Sequence, residues 1–105
     1  MSNINVKTGS VTGTGAAINV SIGFLPVYVR VMNVTDADTV DEWFSTMANG
    51  TSITTAAAVA TRATNGISSY AGSSTAGQGF TIGSGISESA KVLAYLAIGA
   101  GPGND

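Results

Sequence analysis

The sequence predicts an all-β, single-domain fold, either an antiparallel β-sandwich or a jelly-roll-like barrel. Three observations carry that expectation. Apolar and polar residues alternate at period two in several short segments, the mark of strands with one buried face. Turn-forming residues separate those segments at short intervals, as they do in sandwiches and barrels. At 105 residues the chain has room for one core, so the whole of residues 1–105 is expected to be one domain.

Ile18, Val20 and Ile22 alternate with Asn19 and Ser21 as a half-buried strand. Gly23-Phe24-Leu25-Pro26 ends it, because proline cannot donate to a central ladder. Val27 to Met32 resumes the alternation, with the valines on one face and Tyr28, Arg30 and Met32 on the other. Asn33 to Asp38 reads as a turn built on Asp36 and Asp38. Thr39 to Met47 fits two patterns: Asp41, Trp43, Ser45 and Met47 share a strand face, whereas Val40, Trp43, Phe44 and Met47 share one side of a helix. The β-forming residues Thr39, Val40, Trp43 and Phe44 favour the strand. Asn49-Gly50 is the strongest turn signal, and it predicts a tight hairpin into a strand from Thr51 carrying Ile53.

Residues 54–63 are open between a small-residue strand and a short helix near 55–63. Ala56-Ala57-Ala58-Val59-Ala60 has good helix propensity but little length. Asn65-Gly66 marks a turn before a brief strand, Ile67 to Tyr70, and Ala71 to Gly79 reads as a Gly/Ser-rich loop. Phe80-Thr81-Ile82 is a short strand closed by Gly83-Ser84-Gly85. Lys91 to Ile98 is the last strand. Val92, Ala94, Leu96 and Ile98 face one way and Leu93, Tyr95 and Ala97 the other, so it is expected at the centre of a sheet or in an interface. That makes seven or eight strands, followed by a C-terminal tail from about residue 99 that is expected to be mobile.

Composition limits the chemistry. The chain has no histidine and no cysteine, 10 charged residues, and 54 residues that are Gly, Ala, Ser or Thr. Imidazole bases, thiolate nucleophiles, disulfides and sulfur-ligated metals are therefore absent. Lys7, Arg30, Arg62 and Lys91 are the only cations, too few and scattered for a nucleic-acid footprint or a polybasic membrane patch. The longest apolar run, Val92 to Ala100, is too short to span a bilayer, and residues 1–7 lack the pattern of a secretory signal. No cofactor is expected. Large apolar residues are scarce, which predicts a thin core that gains from association.

Asp36, Asp38, Asp41 and Glu42 form the only charge concentration. Hard cations such as calcium want several oxygens together, but the EF-hand spacing and its glycine are missing, and a solvated turn is the plainer reading. A small hydrolase resting on Asp36, Asp38 and Glu42 would lack both a histidine and the material for a deep cleft. Gly13-Thr14-Gly15 fails as a dinucleotide fingerprint because Ile18 stands where the third glycine belongs. Asn19, Asn33 and Asn49 match the glycosylation pattern by chance in a Ser/Thr-rich chain. Trp43 and Phe44 are expected in the core, while exposed tyrosines would suit a protein or sugar surface.

Three segments are familiar in combination: Ile22 to Thr35; Glu42-Trp43-Phe44 through Met47 with Gly50-Thr51; and Gly79-Phe80-Thr81-Ile82-Gly83 ahead of Val92 to Ala97. Over roughly residues 16–98 the chain resembles small structural proteins of tailed-bacteriophage virions, particularly capsid decoration (cement) proteins and related head or tail-fibre domains. The resemblance implies a non-enzymatic, β-rich, often trimeric component with no catalytic residues. Its partners would be the major capsid protein and further copies of itself. Its place would be the capsid surface of a virion assembled in the host cytoplasm. Contacts are expected from the N-terminal arm (Ser2 to Thr8) and the Ala71 to Gly79 loop, with Ile4, Val6, Tyr28, Arg30, Tyr70 and Tyr95 as candidate interface residues. The competing reading is a receptor- or carbohydrate-binding module of a tail fibre or spike, carried by Tyr28 and Tyr70.

Overall fold

The structure, a computed structural model, describes residues 4–74 and 77–100, leaving aside the side chains of Ile4 and Ala100. Eight strands follow one another: β1 (Ile4–Thr12), β2 (Ile18–Ser21), β3 (Tyr28–Asn33), β4 (Val40–Phe44), β5 (Thr51–Thr55), β6 (Val59–Tyr70), β7 (Gly79–Ile82) and β8 (Val92–Ala100). They make one sheet in the order β1-β8-β3-β4-β5-β6-β7-β2, with every neighbouring pair antiparallel. No helix occurs among the described residues. The predicted all-β class stands.

Strands β1 and β2 are consecutive in the chain yet lie at opposite edges of this sheet. Laid flat, seven inter-strand steps would hold those edges about 34 Å apart. Residues 13–17 join them, and six Cα steps reach only about 21 Å. The sheet therefore curls until its edges approach, with one face turned inward.

A corner in β6 makes much of that curl. Ser52 pairs with Arg62, but the next residue back, Thr51, pairs with Ile67, so residues 63–66 are extra on the β6 side. Such a bulge bends a strand and lets it pass from one layer to another. Asn65 sits in the left-handed region (φ 57°), which asparagine tolerates. Before the corner β6 pairs with β5; beyond it β6 pairs with β7.

The core fills the space between the two parts. Val29, Val31, Trp43, Leu93 and Ala97 come from β3, β4 and β8; Ile67, Phe80, Ile82 and Val20 come from β6, β7 and β2. Ile86, in the loop after β7, joins them. Phe80 and Tyr95 meet edge-on across the core, ring centroids 5.3 Å apart and planes at 72°, a favoured aromatic geometry.

Several local expectations change. The helix near 55–63 does not form: residues 56–58 make a bend, and Val59 opens β6. Five alanine-rich residues are too few to nucleate a helix, whereas pairing with β5 satisfies the backbone from Val59 to Arg62. The β4–β5 connection is not a tight hairpin but residues 45–50, closed by Met47 N–H donating to the Phe44 carbonyl (2.8 Å) and Thr51 N–H to that of Ala48 (3.3 Å). Asn65-Gly66 is the corner inside β6 rather than a turn between strands. Gly99 and Ala100, placed in the tail, belong to β8 and pair with Asn5 and Ile4; residues 101–105 lie outside the described residues. Phe44, expected in the core, is 49 % exposed, because β4 turns Asp41 and Trp43 inward and its alternate residues outward.

Strand β1 was not foreseen as a strand. Its centre, Thr8-Gly9-Ser10, carries no apolar alternation. Gly9 pairs with Tyr95, and a Cβ at Gly9 would lie 2.6 Å from the tyrosine hydroxyl, so the ring occupies the space that the glycine leaves open.

Gly79 offers a test of this packing. A Cβ there would collide with the Val20 carbonyl across the β2–β7 pair, whereas one at Gly77 meets nothing within 4 Å. Gly79→Ala is expected to cost about 1–3 kcal/mol in urea denaturation followed by the fluorescence of Trp43. Gly77→Ala should change stability by less than about 0.5 kcal/mol.

Candidate functional site

The four acidic residues adjacent in sequence separate in space. Asp41 faces inward and is 1 % exposed. Glu42 faces outward and accepts a hydrogen bond from the Tyr28 hydroxyl at 2.6 Å. Asp36 accepts from Lys91 Nζ (3.1 Å) and Asn33 Nδ2 (3.3 Å), and Asp38 accepts from the Thr39 hydroxyl (3.2 Å). Among the described residues no three acidic groups gather into a metal-sized cluster.

Asp41 is held by a complete polar network. Its Oδ2 accepts from Ser52 Oγ (2.6 Å) and Arg62 Nε (2.8 Å); its Oδ1 accepts from Thr54 Oγ1 (3.2 Å) and Arg62 Nη2 (3.4 Å). Strand alternation puts Ser52 and Thr54 on the same inward face of β5, and the β5–β6 register places Arg62 opposite Ser52. Four donors occupy the lone-pair positions of one carboxylate, so nothing is left to take a proton from a substrate. The pair borders a cleft of about 400 Å³ between the start of β4 and the loop 84–89. Its geometry is that of a buried structural ion pair.

The outward face is a different surface. Cross-strand registers align it in three rows. The first runs Val6, Ile98, Tyr28, Phe44 across β1, β8, β3 and β4. The second runs Thr8, Leu96, Arg30, Glu42, Ile53, Thr61. The third runs Ser10, Ala94, Met32, Val40, Thr55, Val59. The first row is wholly apolar or aromatic, and Val6 (58 %) and Val59 (69 %) are strongly exposed. Arg30 and Glu42 are the only charges in the three rows. Beyond the β6 corner the outward residues are polar, such as Asn19, Thr81 and Ser68. Asn19 Oδ1 accepts from the Thr81 hydroxyl at 2.7 Å.

Tyr28 ties the rows together. Its ring lies 5.1 Å from that of Phe44, tilted by 47°. Its ionisation is pushed up to about 12 by burial first, then by the hydrogen bond to Glu42 and that group's charge, with Arg30 opposing.

Of the candidate interface residues, Val6, Tyr28 and Arg30 come together on this face. Tyr70 stands apart at the end of β6, and Tyr95 turns inward against Phe80. The side chain of Ile4 lies outside the described residues, as do Ser2 and Asn3 of the arm and Thr75 and Ala76 of the loop. Sequence reasoning missed Phe44 and Val40 as surface residues, whereas it placed Met32 on the face of Tyr28 and Arg30, where the structure has it. It did have the signal for Leu96 and Ile98, because β8 is apolar on both faces.

Comparison with protein-family models, curated proteins and solved structures gives no match for this chain.

Two measurements check the site. Arg62→Ala leaves Asp41 buried without its cation and is expected to destabilise by about 3 kcal/mol, while the double variant Asp41→Leu with Arg62→Met should recover most of that loss in urea denaturation. Ultraviolet titration should show one tyrosine ionising near pH 12. Because the folded value lies above the ordinary 10, Tyr28 contributes fully below about pH 10, and stability falls as pH rises from there towards 12. Glu42→Gln should bring that titration down, since the phenolate would no longer face an anion.

Proposed function

We propose that this protein is a non-enzymatic virion structural protein, in its specific form a capsid decoration protein that binds the outer surface of a phage shell and stabilises it. The observation that carries the reading is the outward face of β1, β8, β3 and β4, where Val6, Ile98, Tyr28 and Phe44 align in one row. Covering an exposed side chain of this size gains about 1.5–3 kcal/mol, so such a row is a natural contact for another protein surface. The likeness to phage decoration proteins in the GF-x-P and valine-strand segments supports the same reading. The partners are the major capsid protein and other copies of this chain, arranged as a homotrimer, on a capsid assembled in the host cytoplasm.

The mechanism is mass action. A protein that binds the assembled shell, and not its separated subunits, stabilises the shell by the free energy of binding. A trimer gripping several capsid subunits adds avidity without any new contact. The outward Tyr28–Phe44 pair, with Tyr28 half-buried and Phe44 exposed, gives one observation in favour of a second reading, a receptor- or carbohydrate-binding module, since aromatic faces also stack on sugars.

The test is co-sedimentation with bare capsids of the same virus, together with light scattering of the free protein. Binding as a trimer, weakened at least tenfold in Phe44→Asp and Val6→Asp, is the expected result. Absence of co-sedimentation would sink the decoration reading. Glycan-array hits lost in Tyr28→Ala would favour the second.

A further inference from the structure

The curled sheet does not close. Among the described residues the only strand paired with β1 is β8, and the only one paired with β2 is β7, so each presents an open edge. Beside the open edge of β1 lies a groove of about 560 Å³, within the range of ligand-binding sites. One wall is Asn5, Val6 and Lys7 of β1; the other is residues 22–25, after β2, with Gln78. Successive residues of a strand point to opposite faces. A groove that touches three in a row therefore runs along the strand's edge, against its main chain.

The far wall is fixed. Ile22 N–H and Gly23 N–H both donate to the Gln78 carbonyl, at 2.9 and 3.0 Å. Phe24 rests on Gly99 so closely that a Cβ there would collide with its ring. Val27 N–H donates to the Ile98 carbonyl at 2.7 Å, which anchors the segment to β8. Gly23 has a positive φ (92°) and keeps its part of the wall free of a side chain.

Charge selects the occupant. Arg62 and Lys91 are paired with Asp41 and Asp36, whereas Lys7 makes no ion pair among the described residues. It lies on the inward side of β1, opposite Ala97, while its neighbour Val6 begins the outward apolar row. A strand laid along β1 would set one residue beside Val6 and the next beside Lys7, on opposite faces. Cross-strand pairs reward an apolar residue at the first position and a carboxylate at the second.

We propose that this groove receives an extended segment of a partner protein, which adds a strand to β1 and carries an apolar residue and an adjacent acidic residue to Val6 and Lys7. Main-chain hydrogen bonds supply affinity, and the two side-chain positions supply selectivity. The site rests on the edge of β1 and not on the virion reading, so a failure of capsid binding would leave it standing.

The probe is a capped seven-residue peptide of alternating threonine and valine with one aspartate next to the central valine, titrated into ¹⁵N-labelled full-length protein. The expected result is new exchange protection at the Val6 and Thr8 amides, which point away from β8, with shifts at Lys7, Ile22 and Gly23. A lysine-for-aspartate peptide should bind at least fivefold more weakly, and an N-methylated backbone should abolish binding. Lys7→Glu, an exposed change that leaves the core untouched, should invert the preference between the two peptides. Three results would each overturn the proposal: no shift at these amides at millimolar peptide, shifts confined to the outward face, or a preference unchanged in Lys7→Glu. Protection of the β1 amides that grows with protein concentration and excludes the peptide would assign the edge to a second copy instead, and would also overturn it.

Discussion

The reach of residues 13–17 constrains everything else in the molecule. They carry the chain between the outermost strands of an eight-stranded sheet, and so short a link permits only a curled sheet. The link is pinned as well as short. Gly13 N–H donates to the Lys91 carbonyl at 2.8 Å, Gly15 N–H to that of Ser87 at 2.8 Å, and Ala90 N–H to that of Gly13 at 3.0 Å. Thr14 N–H donates to the buried Ser87 hydroxyl at 3.0 Å. The loop between β7 and β8 thus anchors the link between β1 and β2, and a Cβ at Gly13 would collide with the Glu88 backbone. Two strands far apart in the hydrogen-bonded order are held near each other by a loop–loop contact at one end, while the other end of the seam stays open as a groove.

Curling gives the sheet an inside, and the inside must be satisfied. A core of valines and isoleucines with Trp43, Phe80, Leu93 and Ala97 supplies the apolar part. The polar part is Asp41, whose burial is tolerable only because Arg62, Ser52 and Thr54 reach it together. That meeting depends on the β6 corner. Slipping β6 by one residue against β5 would turn Arg62 outward and leave a buried carboxylate without its cation, a penalty of about 3–5 kcal/mol. The ion pair and the bulge therefore specify the same register from two directions. An apolar substitute could match the stability of the pair, but it would not penalise the slipped register as strongly.

How much of this was legible in the sequence follows from which residues each element uses. Strands β3 and β8 could be read because Val29, Val31, Leu93 and Ala97 alternate with residues of the other face, and period two is a direct image of strand geometry. Strand β1 could not, since Gly9 is stabilised by Tyr95 from a residue 86 positions away in sequence. The run Ala56 to Ala60 left helix and strand both open because propensity is a local property, and pairing with β5 from Val59 onward decided for the strand. For the site, adjacency of Asp36, Asp38, Asp41 and Glu42 suggested a cluster, yet strand alternation alone sends Asp41 inward and Glu42 outward. Val6, Tyr28 and Arg30 were legible as surface residues. Their meeting was not, because it depends on the non-sequential order β1-β8-β3-β4.

The two edges of the sheet are treated unequally. Strand β2 is four residues long, short enough to be a poor template for pairing, while β1 offers nine residues with no proline and no bulge. Such an edge ordinarily invites aggregation, and a lysine is the usual guard against it. Lys7 serves that purpose against neutral or cationic strands, whose approach would bury its charge without a partner or set two cations together. The same lysine favours a strand that brings a carboxylate. One residue thus repels unguided pairing and selects a matching occupant, because specificity is the difference between those two free energies. A proline in β1 would guard the edge more completely, but it would also remove the main-chain donors on which an added strand depends.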